Sequence, residues 1–524
     1  MSWETIIERI NNHIQGKLNE PNNVENALNS SQRDAIRRIW GASIFPRRVR
    51  TTPSTTLDNF LGSDRFYVID PPTRQQFSSY IIIGPPGTGK TTVIAYGALL
   101  YASNPQYRVS SPRLFLCTSS NYGADRIFEK ILEVLNLVGV RGWEIYFRRV
   151  IAQSVAEEDI SESVRNHVIK PRPFSHEDPR DHQEQLENSI IFVGTIYACN
   201  DLLRLQRPIR SQTVLFDEAS QLTPPEMYLP ISQNRSIRSF GLIGDDCQLP
   251  PIASLEPLTH SCIDYLRGLP EYENSRIPEN RQITLNIQYR MHPAIRDISS
   301  RFARRSIIIR DSALVSAPSY LLQDYQNFEG DSQSEILDSI FNPQKTVVVI
   351  DTSPLGEVSL DTRVRSSRIN IREIEIVNGL SILLQSVYPN FEINNDNLKI
   401  VTPYKPQARR LRSVTGLNAN TVDAFQGQEA QIVFYSLTFA EPDVRSRFMQ
   451  NRHRILVGLS RAQKKLIIIG HQTAMNHPNF NYLRQNIFNY NYEPTREPNI
   501  QLEYNPVSHV SINNDFYEYL LTLQ

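Results

Sequence analysis

The stretch YIIIGPPGTGKTT, residues 80–92, decides how the chain is read. Tyr80–Ile83 is a short apolar run, the composition of a parallel strand buried on both faces. Gly84, Pro85, Pro86, Gly87, Thr88 and Gly89 form a loop, and Lys90, Thr91 and Thr92 open an apolar helix, VIAYGALLYA. Strand, G-x-x-x-x-G-K-T and helix, in that order, is the context in which this pattern cradles phosphate. Gly84, Gly87 and Gly89 let backbone N–H groups approach phosphate oxygens with no Cβ in the way. The helix N-terminus adds unpaired donors and partial positive charge. Lys90 is the mobile cation for the outer phosphates, and the Thr91 hydroxyl is a hard oxygen ligand for Mg2+. The loop specifies a nucleotide and leaves its use open.

Composition bounds that use. The chain has 524 residues, room for three or four domains, with 40% hydrophobic and 21% charged residues. Its apolar runs, such as Ile81–Ile83 and Leu466–Ile469, are strand-sized, so no membrane span is expected. The N-terminus carries Glu4 and Glu8 and lacks the long apolar stretch of a leader. Cys117, Cys199, Cys247 and Cys262 have no C-x-x-C spacing, which argues against a zinc module and fits a reducing, intracellular compartment. The 55 basic and 55 acidic residues cancel. Basic side chains cluster locally at Arg47–Arg50, Arg301–Arg305, Arg363–Arg368 and Arg409–Arg412, each by itself a solvated face.

Along the chain, residues 1–28 read as an amphipathic helix and turn, and LNSSQRDAIRRIW as a helix capped by Ser30 or Ser31. Gln32, in its first turn, has the paired donor and acceptor that suit an adenine edge. Residues 41–78 read as an inserted loop or subdomain, and 128–190 as a mainly helical insertion. His176 and His182 lack partners at metal-ligand spacing. TVLFDEASQ delivers Asp217 and Glu218 at the C-terminal end of a strand, where open α/β sheets place ligands. Strand alternation would turn the two carboxylates opposite ways. Asp217 then suits Mg2+, and Glu218 suits the attacking water as general base. SFGLIGDDCQLPP is a further strand with Gln248 near its exit, a candidate γ-phosphate sensor. TVVVID, NIREIEIVNGLSILLQS, LKIVTPY, QIVFYSL and ILVGLSRAQKKLIIIG then alternate strands with helices, the signature of a second parallel sheet.

GPPGTGKT, DEASQ, GDDCQLPP, LNIQYRMHPAI, TVDAFQGQEAQIV and ILVGLSRAQKKLIIIG occur in one order over residues 28–472. The set resembles the superfamily 1 helicases, within them the up-frameshift-like group. The resemblance implies an α/β fold of two RecA-like domains in tandem, at 1–280 and 281–472, with 473–524 an extension of unassigned role. It implies ATP and Mg2+, hydrolysis in the interdomain cleft, and movement 5′ to 3′ along single-stranded RNA or DNA by a monomer. Arg290 and Arg461 match the arginines that neutralise charge on the γ-phosphate, Gln248 the phosphate sensor, and Gln32 and Tyr289 the adenine contacts. Gly427 and Glu429 match the positions on the γ-phosphate side and at the ribose. Ser119, Ser120, Asn121, Thr195, Thr402, Pro403, Tyr404 and Thr421 match the polar turns that grip a sugar-phosphate backbone. Protein partners would dock through 41–78, 128–190 or 473–524. Two departures stand out. The four scattered cysteines exclude the Cys/His-rich regulatory domain, and the 28 residues ahead of the Gln32 motif are too few for the family's β-barrel. The second departure weighs against strong duplex unwinding, not against ATP hydrolysis. The alternative is an ATP-dependent RNA-binding clamp or ribonucleoprotein-remodelling scaffold.

Overall fold

The computed structural model describes residues 9, 12–13, 28–41, 66–67, 76–102, 113–139, 146–172, 180–234, 236–253, 255, 258–268, 282–303, 309–327, 332–359, 362–364, 367–425, 427–440, 447–477, 479 and 505–524. Most of the helix expected over 1–28, most of the 41–78 insertion, the arginines at 47–50, 304–305 and 365, His176 and the side chain of His182 lie outside them. The chain forms two units, Met1–Asp246 with Pro250–Ile287, and Cys247–Leu249 with Gln288–Gln524. The break after Ile287 falls just beyond the boundary expected near 280.

In the first unit, β1 (Phe66–Tyr67), β2 (Gln76–Ile83), β3 (Leu114–Thr118), β4 (Phe147–Val150), β5 (Val168–Ile169), β6 (Ile191–Thr195), β7 (Thr213–Phe216), β8 (Ser239–Gly244) and β9 (Gln282–Thr284) make one sheet. The order is β1-β2-β8-β7-β3-β6-β4-β5, with β9 also on β2. Every pairing is parallel except β1 with β2. Alternation along β2 explains its unbroken apolar run. Tyr80 and Ile82 join a core with the helices Ser30–Gly41, Lys90–Ala102 and Asn121–Leu137. Ile81 and Ile83 join a second core, on the other face, with the helices Ile196–Leu202, Pro224–Ser232 and Cys262–Arg267. Among its described residues, the 128–190 region holds the end of the helix Asn121–Leu137, the 3-10 turns Glu157–Asp159 and Glu162–His167 and the helix Arg180–Asn188, and it adds β4 and β5, which extend the sheet with parallel pairing. FRRV forms a strand because Phe147 and Val150 are buried and the charged Arg149 beside them has a buried ion-pair partner.

In the second unit, β10 (Val347–Asp351), β11 (Leu398–Thr402), β12 (Ala419–Thr421), β13 (Ala430–Ser436), β14 (Ala462–Gly470) and β15 (Val507–Ser511) form a parallel sheet in the order β12-β11-β13-β14-β10-β15. Residues 505–524 are thus part of this domain. β15 pairs with β10 from Val507 opposite Val347 to Ser511 opposite Asp351. The helix Asn514–Thr522 then packs on Ile371–Val387. The approach is close because position 379 is glycine: a Cβ there would lie 2.9 Å from Leu520 Cβ.

Candidate nucleotide site and nucleic-acid interface

The phosphate loop follows β2 and is anchored by Gly84 N donating to Gly244 O at 2.8 Å on β8. Gly87 and Gly89 take φ of 75° and 83°, conformations that disfavour any Cβ. A Cβ on Gly84 would stand 2.3 Å from Lys90 Cγ, so the glycine is what lets the lysine lie back over the loop. There Lys90 Nζ donates to Gly84 O at 2.7 Å. Thr91 and Thr92, half-buried, occupy the first turn of the 13-residue helix Lys90–Ala102. Pro85, Pro86 and Thr88 are buried, and Thr88 Oγ1 donates to Pro85 O at 2.8 Å.

Gln32 is brought to this loop. Its backbone N–H donates to Asn29 Oδ1 at 2.9 Å, its Oε1 accepts from Asn29 N at 3.1 Å, and Nε2 donates to Thr88 O at 3.0 Å. The helix is therefore capped from Asn29 rather than from Ser30 or Ser31, and the Gln32 amide braces the loop.

β7 ends at Phe216, one residue before the acidic pair. Asp217 N donates to Cys117 O at 2.8 Å on neighbouring β3, which holds the carboxylate at the sheet's end. Burial, and then the like charge of Glu218, push the Asp217 carboxyl up to about 7 against the pull of Lys90. Glu218 is not on the strand. It sits at φ 54°, ψ 36°, one of three described non-glycine residues with positive φ. Because Glu218 lies beyond the strand in a left-handed turn, strand alternation does not set the direction of its carboxylate. A glutamate gains nothing intrinsic from that conformation, which costs about 1–2 kcal/mol. Its Oε2 accepts from Gln221 Nε2 at 3.2 Å, and its N–H donates to Asp217 Oδ1 at 2.9 Å.

The second unit carries the other expected nucleotide residues. Gln288 shapes the turn, its Oε1 accepting from Arg290 N at 2.9 Å and Met291 N at 2.7 Å. Tyr289 is half-buried beside it. Arg290 forms an ion pair with Glu429. Glu429 Oε1 also accepts from Gln463 Nε2 at 3.0 Å, and the Tyr320 hydroxyl donates to Arg290 O. Gly427 takes φ 79° in the same loop as Glu429. Arg461 is 2% exposed and donates from Nε to Val457 O at 2.9 Å and from Nη1 to Gln428 O at 2.9 Å. Its guanidinium thus holds the loop that carries Gly427. Gln248, buried, falls in the short segment grouped with this unit.

The polar turns divide by role. Ser120 and Thr195 are N-caps, accepting from Gly123 N at 3.1 Å and Ala198 N at 3.3 Å. Ser119 is exposed, while Asn121 Oδ1 accepts from Arg149 Nη2 at 3.0 Å. In the second unit the Thr402 hydroxyl is fully buried against Thr438 Oγ1 at 2.8 Å, so it secures the end of β11. Pro403, Tyr404 and Thr421 stay partly exposed, Tyr404 preceding the helix Lys405–Thr415. Sequence reading missed Gln288, Gln463, Tyr320 and Arg149. The first two lie inside quoted motifs and could have been named; Tyr320 and Arg149 belong to no motif.

Two family models, each described as an AAA domain, match residues 27–190 and 270–473. The DNA replication ATP-dependent helicase/nuclease JHS1 of Arabidopsis thaliana is 26% identical over 75% of this chain and 27% of its own length. The DNA replication ATP-dependent helicase/nuclease DNA2 of Homo sapiens is 25% identical over 76% of this chain and 36% of its own. The DNA polymerase alpha-associated DNA helicase A of Saccharomyces cerevisiae is 24% identical over 77% of this chain and 64% of its own. The chain therefore spans between about a quarter and two thirds of these relatives. Among solved structures, the Arterivirus nonstructural protein 10 helicase aligns at TM-score 0.37 and 15% identity over 74% of this chain and 59% of that one, too distant to bear on the argument. The two AAA-domain matches, with helicase relatives aligned over about three quarters of the chain, agree with the phosphate loop, the acidic strand end and the two parallel-sheet units, and the chain belongs to the superfamily 1 helicases.

Proposed function

We propose that this chain hydrolyses ATP to move along a single strand of RNA or DNA, 5′ to 3′. The observation that carries the reading is Glu218, held left-handed next to a buried Asp217 whose ionisation Lys90 favours. Strain in a non-glycine residue beside a perturbed carboxyl is the mark of a site kept for chemistry. In this reading the loop 84–89 and Lys90 hold the triphosphate. Thr91 and Asp217 offer only oxygen, the donor type Mg2+ takes, and a buried carboxyl pushed upward gains from a cation beside it. Mg2+, when bound, neutralises phosphate charge. Glu218 orients the water and takes its proton. Gln32 and Tyr289 serve the base, Glu429 the ribose, and Gln248 the γ-phosphate side. Arg290 exchanges Glu429 for phosphate oxygen, and Arg461 adds positive charge while keeping the Gln428 turn in shape. DNA is the first strand to try, because the relatives named above are described as DNA replication helicase/nucleases and a DNA helicase; RNA is the matched control.

The test is steady-state ATPase with and without matched pyrimidine DNA and RNA strands. Stimulation by at least one strand is expected, and Glu218→Gln should lower turnover by about 10²-fold or more, the scale of a lost general base. Absence of stimulation by either strand would overturn the translocase reading, and an unimpaired Glu218→Gln the site.

A further inference from the structure

The helix Lys405–Thr415, which follows β11 through Pro403 and Tyr404, carries its charges in an order that its own stability does not explain. Gln407, Ala408 and Leu411 are buried and fix the helix on its domain. Lys405, Arg409 and Arg412 are exposed. They follow one another at i, i+4 and i+7, which sets them in one stripe, about 6 Å and then about 4.5 Å apart along the axis. Arg410 is exposed too, about 100° round the helix from Arg409. Like charges three and four residues apart destabilise a helix, and a cation in the first turn opposes the macrodipole. No acidic residue occupies that turn, and Tyr404 caps it without a side-chain hydrogen bond. Other helices of the chain pair such cations internally, Arg126 with Glu129, Lys130 with Glu133 and Arg372 with Glu375. Lys405, Arg409 and Arg412 have no ion-pair partner among the described residues.

The neighbouring elements supply no anion either. The helix packs on Ile371–Val387, on the strand Ser367–Ile369, on β11 and on β12. The acids on these elements are Glu373 and Glu375, and both are committed. Glu373 is fully buried and accepts from Ser436 Oγ at 2.6 Å and Thr438 N at 2.8 Å. Glu375 Oε2 accepts from Arg372 Nη1 at 3.1 Å. The strand brings a further cation, Arg368 of the 363–368 cluster, with its guanidinium 4.9 Å from the centre of the Phe439 ring. In a chain whose basic and acidic residues cancel, two arginine clusters far apart in sequence thus meet on one locally positive side of the second unit.

We infer that Lys405, Arg409 and Arg412 form a phosphate-binding face that holds a nucleic-acid backbone along the side of this helix, beyond the turn at Pro403 and Tyr404. This rests on the translocase reading and deepens it. Unpaired cations in a row complement a polyanion, and contacts to phosphate position a strand without reading its sequence. The cost to the helix is relieved when phosphates come between the like charges.

The test measures binding of fluorescein-labelled oligo-dT and oligo-rU by anisotropy, using the full chain, between about 50 and 200 mM salt. Three phosphate contacts at about 0.7 each predict that Lys405→Gln/Arg409→Gln/Arg412→Gln lowers the slope of log affinity against log salt by about 2. At about 0.1 M salt the same loss reads as binding about a hundredfold weaker. Melting temperature should hold or rise, since the like-charge pairs go with the cations. Arg409→Lys/Arg412→Lys, which keeps the charge, should keep the slope. Arg409→Gln or Arg412→Gln alone, at about 0.7 of slope each, serves should the triple variant not fold. A control, Arg204→Gln/Arg207→Gln/Arg210→Gln, takes three exposed arginines from the first unit and should leave the slope within about 0.5 of the unsubstituted protein. An unchanged slope with the strands still bound, or an equal fall in the control, would overturn the face and leave the translocase reading standing. So would loss of polyglutamate binding by the triple variant with strand binding intact, which would assign the stripe to an acidic peptide. If the unsubstituted protein bound neither oligo-dT nor oligo-rU, both readings would fall together.

Discussion

Replacing Glu218 should make the protein more stable and catalytically dead, and two substitutions separate the reasons. The left-handed conformation at φ 54° costs a glutamate about 1–2 kcal/mol relative to glycine. Glycine returns about 0.5–1 kcal/mol of that through its freer unfolded chain, and loss of the 3.2 Å bond from Gln221 costs about another 0.5. On conformation alone, Glu218→Gly comes out near neutral. The second contribution is charge. Glu218 is the second cause, after burial, of the rise of the Asp217 carboxyl from 3.8 to about 7. The unfolded chain gives up that proton near 3.8 and the folded chain near 7, so stability falls as pH rises between them and the penalty is complete above about 7. Glu218→Gln keeps the strained backbone and an amide for Gln221, yet removes the repulsion. It should raise stability by about 1 kcal/mol at pH 7.5, or about 2 °C in melting temperature for a unit of this size, with a smaller gain at pH 5. Glu218→Gly should gain as much or somewhat more.

Scanning calorimetry of the first unit's transition, in chelator so that no cation masks the repulsion, reads these shifts. ATP turnover measured in parallel should fall for both variants. If both lowered the melting temperature, strain and repulsion would be the wrong description of this strand end. A gain of equal size at pH 5 and pH 7.5 would refute the electrostatic half by itself.

Two further outcomes concern the second unit. Burial lowers the Lys465 ammonium from 10.5 to about 7, so the folded chain releases that proton near 7 and the unfolded chain near 10.5. Stability of this unit should therefore rise from pH 7 to pH 10, and Lys465→Met should flatten the rise; urea midpoints at pH 7 and 9 measure it, and an unchanged slope would remove Lys465 as its source. Leu520 is fully buried over Gly379, so Leu520→Ala should cost about 2–5 kcal/mol. Gly379→Ala should lower the melting temperature both alone and in the Leu520→Ala background, since the added Cβ would lie 2.9 Å from Leu520 Cβ and 3.1 Å from Leu520 O, atoms that alanine keeps, and an unchanged melting temperature would contradict the packing.

What the sequence disclosed and what it withheld follow one physical division. β2, β7, β8, β10, β11, β13 and β14 are legible because buried parallel strands are short apolar runs rich in β-branched residues, and IIIG, VVVI and LIIIG, bounded by glycine or polar turns, are too short for helices. β4 escaped because it carries two arginines in four residues, and only the distant Asp125, 24 residues away, makes Arg149 tolerable in a sheet. β15 escaped for a related reason. VSHVS has polar residues at three of its five positions and no strict alternation, and only its pairing with β10 shows what it completes.

The site divides the same way, between residue type and residue conformation. Motif context names Gly84, Lys90, Asp217 and Glu218, since phosphate chemistry restricts which side chains can serve, and the family resemblance adds Arg290, Glu429 and Arg461. Neither says how each is held, and the holding is where the energy lies. Asp217 is buried at a cost in ionisation, Glu218 is turned left-handed, and Arg290 is committed to Glu429. Arg461 is committed to the carbonyl of Gln428. Each is an arrangement the chain would be more stable without, or one that exchange with a phosphate oxygen or a cation would relieve. A strand end that keeps two carboxylates side by side, one of them strained, is unfavourable as pure structure. It becomes favourable once positive charge and a phosphate chain are added, and that reversal couples nucleotide binding to the energy of the fold.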